Sequence, residues 1–192
     1  TPATYEYQHS KIIAEQLINS NLGFMTSCQI STGLFNHSFL TISAPDKCAL
    51  SFQTREALVC TPLYLYESAK SNQQSLNMNG SRSRRINLDA NFIRGLSEKL
   101  GLSFVSDGRG NLEKTFGPED LFYYAYSIFH SPTYRTRYAE QLKIDFPRLP
   151  LTSDRELFTK LVRLGNELVN LHLLGENPLD KAKTIFDAPE KW

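Results

Sequence analysis

What this sequence lacks removes several classes of function. Cysteine is scarce: Cys28, Cys48 and Cys60 are odd in number, widely spaced, and show no CxxC pattern or nearby histidine pair. That argues against a zinc cluster and against a secreted disulfide framework, and reduced, buried thiols in a cytoplasmic protein are expected instead. No apolar run approaches the ~20 residues that cross a bilayer, so no membrane partner is expected. No charged, apolar and small-residue leader opens the chain; it begins Thr-Pro-Ala rather than Met and is expected to be a piece of a larger protein. Charge of one sign is not in excess either, the formal net charge being +1. A balanced sum does not exclude a polyanion ligand, because affinity depends on the face presented to phosphate.

Catalytic patterns are missing as well. His9, His37, His130 and His172 stand apart from one another in sequence, with no carboxylate or cysteine at metal-ligand spacing. Ser27 and Cys28 lie in a β-like run without a GxSxG elbow. Asp107-Gly108-Arg109-Gly110 has neither the lysine nor the preceding strand of a phosphate loop. Asp120, Glu140 and Asp145 read as cap or surface carboxylates. No catalytic residue and no metal ligand is therefore assigned, and the chain is read as non-enzymatic.

What is present gives an outline. At 192 residues the chain suits one domain with appendages. Ile12, Ile13, Leu17 and Ile18 predict a short helix in an N-terminal extension, residues 1–20. Runs at 22–30, 38–42 and 57–66 are rich in β-branched or aromatic residues and bounded by turn formers, so they predict strands. Pro62 marks the third as an edge, a bulge, or a strand that starts after it. Residues 67–85 are polar and contain Asn-Gly, which predicts a long flexible loop. Asp89 caps a helix at 91–100 that Gly101 stops. Pro118 opens another, with Leu121, Phe122, Ala125, Ile128 and Phe129 on its apolar face. Ser131 and Pro132 start a third, running to about Lys143. Thr152 or Ser153 caps the last, whose Leu157, Leu161, Leu164, Leu168 and Leu171 form a seam that wants a partner helix. The body spans 21–175 and a loose tail 176–192. The expected fold is α+β, with a mixed sheet in a β-rich first half and a helical second half ending in a long amphipathic helix.

Two clusters suit a polyanion. One is Arg82, Arg84 and Arg85 on the polar loop, with Lys70, Asn72 and Gln73: arginine grips guanine or phosphate bidentately, and Asn or Gln reads adenine. The other is Arg135, Arg137, Lys143 and Arg148 around Tyr134 and Tyr138. A solvated loop and a set of structural arginine–tyrosine contacts are the plainer alternatives.

The stretch from Leu121 to Leu151 holds five tyrosines, three phenylalanines and three prolines. Within it His130-Ser131-Pro132-Thr133-Tyr134-Arg135, Arg137-Tyr138-Ala139-Glu140 and Lys143-Ile144-Asp145-Phe146-Pro147-Arg148-Leu149-Pro150 resemble a signature of the C-terminal specificity domain of type ISP restriction–modification enzymes and related adenine-N6 methyltransferases. Phe35-Asn36-His37, Thr54-Arg55-Glu56 and Pro62-Leu63-Tyr64-Leu65-Tyr66 agree in order. The resemblance implies a target-recognition domain on double-stranded DNA, joined to methyltransferase and coupler domains in a parent polypeptide. It implies no cofactor here, with S-adenosylmethionine and ATP belonging to the parent. The methyltransferase motif Asn-Pro-Pro-Tyr is absent, Asn177-Pro178 being followed by Leu179-Asp180. The signature residues His130, Ser131, Pro132, Tyr134, Arg135, Tyr138, Asp145, Phe146, Pro147 and Arg148 are then scaffold. The expected DNA contacts are Gln53, Arg55, Lys70, Asn72, Gln73, Arg82, Arg84 and Arg85. The alternative is a non-catalytic interaction module docking through the leucine-seamed helix.

Overall fold

The computed structural model describes residues 13–17, 21–27, 30, 33–46, 49, 58–66 and 83–173. Three strands, β1 (Gly23–Ser27), β2 (Ser38–Thr41) and β3 (Leu58–Pro62), form a sheet in the order β2-β1-β3. Both pairings are antiparallel. The α+β class holds, but among the described residues no mixed sheet forms: the parallel pair, β6 (Ser103–Phe104) with β7 (Thr115–Phe116), is a separate sheet. The third β-like run splits at Leu63. Pro62 ends β3 on the sheet edge, where its missing N–H costs no ladder bond. Leu63, almost wholly buried, donates to Leu22 O (2.7 Å) and accepts from Asn87 N (2.9 Å). The chain then continues as β4 (Tyr64–Tyr66), paired antiparallel with β5 (Arg84–Ile86).

Helix starts follow local chemistry. In α1 (Ala90–Leu100) the Asp89 carboxylate accepts from Phe92 N, and Gly101 closes the helix in the left-handed conformation, φ 63°. Pro118 opens α2 (Pro118–His130). Ser131 caps α3 (Pro132–Arg137), which stops at Tyr138 rather than near Lys143; a separate turn, α4 (Gln141–Ile144), follows. The last helix, α5 (Arg155–His172), is capped by Asp154, not Thr152 or Ser153; its carboxylate accepts from Glu156 N and Leu157 N.

Helix α2 is the centre of the molecule. Besides Leu121, Phe122 and Phe129 it buries Tyr123, Tyr124 and Tyr126, whereas Ala125 and Ile128 are half-buried. A helix apolar nearly all round is a core helix. Phe24 of β1 meets Phe122, Tyr126 and Phe129 edge-on, with centroids 5.7, 6.2 and 5.8 Å away. From the other side α5 packs through Phe158, Val162, Gly165 and Val169. The expected leucine seam is therefore out of phase by one residue, leaving Leu157 and Leu164 exposed, the latter at 57%.

Two glutamine and asparagine side chains bind the N-terminal turn to the ribbon. Gln16 donates to Tyr66 O and accepts from Tyr66 N, and Asn21 does the same with Tyr64.

Candidate nucleic-acid interface

Of the expected DNA contacts, Gln53, Arg55, Lys70, Asn72, Gln73 and Arg82 lie outside the described residues. Arg84 and Arg85 do not sit on a loop; they are strand residues of β5. Alternation puts them on opposite faces of the ribbon. Arg85 is exposed opposite Leu65 and has no hydrogen-bond or ion-pair partner among the described residues. Arg84, opposite Tyr66, is held on several sides. Its guanidinium lies 4.0 Å from the centre of the Tyr64 ring and donates to Tyr66 Oη (3.3 Å) and to Asp107 Oδ1 (2.5 Å). Burial opposes its charge, but the bonds to Tyr66 and Asp107 outweigh it and raise the pKa.

The turn from 105 to 117 brings a second arginine beside it. Gly108 N donates to Tyr64 Oη (2.7 Å), fixing the turn to the ribbon. Asn111 Oδ1 accepts from the backbone of Glu113, Lys114 and Thr115 and shapes the turn's far end. Asp120, fully buried, accepts from Gly110 N (2.6 Å), Gly117 N (2.9 Å) and Arg109 Nε (3.3 Å). Asp120 is thus the internal anchor of the turn rather than a surface carboxylate. The Arg109 guanidinium in turn lies 5.2 Å from the Tyr123 ring centre. Each arginine therefore stacks on a tyrosine and meets a carboxylate. Glu119 faces both; burial, its largest influence, raises its pKa against their attraction. Burial also raises the Tyr64 and Tyr123 phenols. The turn's Asp-Gly-Arg-Gly pattern was visible in the sequence, but nothing local showed that it meets β5.

Of the second basic cluster only Arg135 is spent internally; the side chains of Lys143 and Arg148 pair with carboxylates three residues away, and Arg137 is exposed with no side-chain partner among the described residues. Arg135 donates to Phe129 O (2.7 Å), Asn36 Oδ1 (2.9 Å) and His130 Nδ1 (3.1 Å). Lys143 pairs with Glu140 at 2.8 Å. Arg148 pairs with Asp145 at 3.1 Å, and Asp145 also accepts from Phe146 N. Those side chains close the turn on itself, and Tyr134 Oη donating to Arg148 O (2.8 Å) and Tyr124 Oη donating to Pro150 O (2.7 Å) tie the segment to neighbouring elements. Ser131 caps α3, Pro132 starts it, and Tyr138 stacks on Tyr134. Phe146 departs from the expected scaffold role: at 40% exposed it lines a groove of about 450 Å³ with Tyr134, Tyr138 and Leu149 instead of filling the core, and Pro147 beside it is half-buried.

Among the described residues there is no group of side chains able to hold a metal ion, and no helix is long and apolar enough to cross a membrane. Cys60 is a buried free thiol whose pKa burial pushes up to about 11; Cys28 and Cys48 lie outside the described residues. His130 and His172, apart in sequence, come together with ring centroids 5.4 Å apart.

Solved structures share this fold. The ATP-dependent Type ISP restriction-modification enzyme LlaBIII bound to DNA matches with a TM-score of 0.58 and 26% identity, over 83% of this chain and 9% of that one. The cryo-EM structure of the DrdV–DNA complex matches with a TM-score of 0.56 and 24% identity, over 81% of this chain and 12% of that one. The chain thus spans about a tenth of the length of these neighbours. No curated protein matches it. The model of the Type ISP C-terminal specificity domain matches residues 1–192, and the chain belongs to that family.

Proposed function

We propose that this chain is the DNA sequence-recognition domain of a restriction–modification protein, positioning a separate adenine methyltransferase and nuclease on their target. The observation that carries it is membership of the Type ISP specificity-domain family along the whole chain. The DNA-bound state of LlaBIII, a neighbour of similar fold, supports it. The partners are double-stranded DNA and the methyltransferase and coupler parts of the parent polypeptide, in the cytoplasm. S-adenosylmethionine and ATP serve those parts, and this domain uses no cofactor of its own.

The contacts are drawn from Gln53, Arg55, Lys70, Asn72, Gln73, Arg82, Arg84 and Arg85. Arg85 is the cleanest to test, being exposed and unpaired among the described residues. In the full-length protein, duplex binding is expected to weaken with salt at a log–log slope of about −0.9 per phosphate contact. If Arg85 meets a phosphate, Arg85→Ala makes that slope shallower by about one contact and leaves the melting temperature unchanged. Binding that never rises above a salt-insensitive background would overturn the reading.

The exposure of Leu157 and Leu164 favours a second reading, a protein-interaction module docking through α5. That module would show no salt-dependent DNA binding and would lose a protein partner on Leu164→Lys.

A further inference from the structure

We propose that Arg84 and Arg109 are guanine-reading residues, each pre-aligned by a tyrosine and a carboxylate, and that Asp107 is the positioning residue for Arg84. This deepens the DNA-recognition reading and rests on it. The two assemblies are alike: a guanidinium over a ring, Tyr64 or Tyr123, with one nitrogen on a carboxylate, Asp107 or Asp120. Gly108, between Asp107 and Arg109, ties both to the ribbon through Tyr64 Oη.

The donors are not used up. A guanidinium carries five N–H groups. Tyr66 and Asp107 take one each from Arg84, and Asp120 takes only the Nε–H of Arg109. The remaining donors have no partner among the described residues, and the side chains are 30% and 41% exposed. A purely structural clamp would bury the group and satisfy its donors. Here one face and one or two donors of each guanidinium are held while donor edges stay open. That arrangement removes in advance the rotamer freedom that binding would otherwise have to freeze.

The surrounding charge selects the target. Asp107, Glu119 and Asp120 face Arg84 and Arg109, three carboxylates against two cations. Asp107 is itself 63% exposed. A phosphate brought to Arg84 would meet the exposed Asp107 carboxylate, and one brought to either arginine would meet a group whose carboxylates outnumber its cations, which works against a backbone grip. Guanine O6 and N7 are uncharged acceptors spaced for a bidentate guanidinium, and the carboxylates do not repel them. Lysine cannot reproduce that fork, so Arg→Lys keeps the charge and removes the reading.

The test is selection by the full-length protein from a library of randomised duplexes at about 0.15 M salt, followed by sequencing of the bound fraction. The wild type is compared with Arg84→Lys, Arg109→Lys and Asp107→Asn. The wild type is expected to enrich a motif containing guanine at two or more positions. Arg84→Lys reduces the preference for one of them by roughly 5- to 150-fold and leaves the others intact. Asp107→Asn weakens the same position more mildly, and Arg109→Lys acts on a different guanine. Asp107→Asn changes an exposed carboxylate, so it still decides the matter if a lysine variant fails to fold. A wild-type motif returned undiminished by all three variants overturns this assignment alone. So does a loss spread over every position with a shallower salt slope, the mark of phosphate contacts. A wild type that enriches no motif takes down the recognition reading with it.

Discussion

His130 is fixed by what its neighbours can and cannot donate. Arg135 has only donors, so His130 Nδ1 must accept from it; Ser38 O only accepts, so His130 Nε2 must carry the hydrogen. The ring is a neutral Nε2–H tautomer with no room for a second proton. Burial, and then the charge of Arg135 and the nearby His172 ring, push its pKa down to about 4, with the bond to Ser38 opposing. The unfolded chain takes the proton near pH 6.5 and the folded chain does not. The stabilisation is therefore complete above about pH 6.5 and is lost as pH falls towards 4. Because the ring is half exposed, the loss is on the order of 1–2 kcal/mol. Urea unfolding between pH 4 and 8 checks this: the wild type should lose stability across that window, and His130→Gln should lose less. An identical pH profile for the two would remove the tautomer argument. None of this was legible in the sequence, where Asn36 lies 99 residues from the arginine and Ser38 92 residues from the histidine that they hold.

Helix α5 shows why starts are easier to read than faces. Asp89, Gly101, Pro118, Ser131 and Pro132 act on backbone groups within a few residues of themselves, and each was legible. The buried stripe was not. Residues 157, 161, 164 and 168 and residues 158, 162, 165 and 169 share one spacing, and the leucines make the first the more apolar. Gly165 decides the matter: a Cβ there would collide with the carbonyl of Tyr123, so only a glycine lets α5 come this close to α2. A small residue in the contact stripe looks like a flaw in a hydrophobic pattern, although it sets the packing distance. Gly165→Ala should accordingly cost about 1–3 kcal/mol or more despite its better helix propensity. Phe158→Ala, emptying a fully buried site, should cost about 3–5 kcal/mol, and Leu164→Ala no more than about 0.5 kcal/mol. Thermal or denaturant unfolding of the three variants gives the ranking; a Leu164 loss as large as that of Phe158 would mean that the helix is packed by its leucine seam after all.

At the scale of the whole molecule, the order of a β-rich half before a helical half was legible, because strand and helix patterns are local. Their interlocking was not. Phe24 inserts its ring among three aromatic rings of α2. His130 reaches Ser38 in β2, and Arg135 reaches Asn36 just before it. Ile30 N donates to Lys143 O at 3.1 Å, which joins the connection between β1 and β2 to α4. The ribbon is bound on one side to Gln16 and Asn21 and on the other to Gly108. With these ties neither half can keep its core when the other opens, so the described body should unfold in one step. Arg135 is the sharpest probe, since one side chain bonds α2 and the β-half together. Arg135→Ala removes three hydrogen bonds from a charged donor and should cost about 2–4 kcal/mol. Far-ultraviolet circular dichroism, dominated by the helices, and amide exchange at β1 residues 23–27 should shift by the same free energy in that variant. If helix signal and β1 protection are lost at different denaturant concentrations, the halves are separate folding units and these contacts only dock them. Coincident loss would mean that a substitution in the helical half changes how firmly the β-half holds its ribbon, and with it the alignment of Arg84.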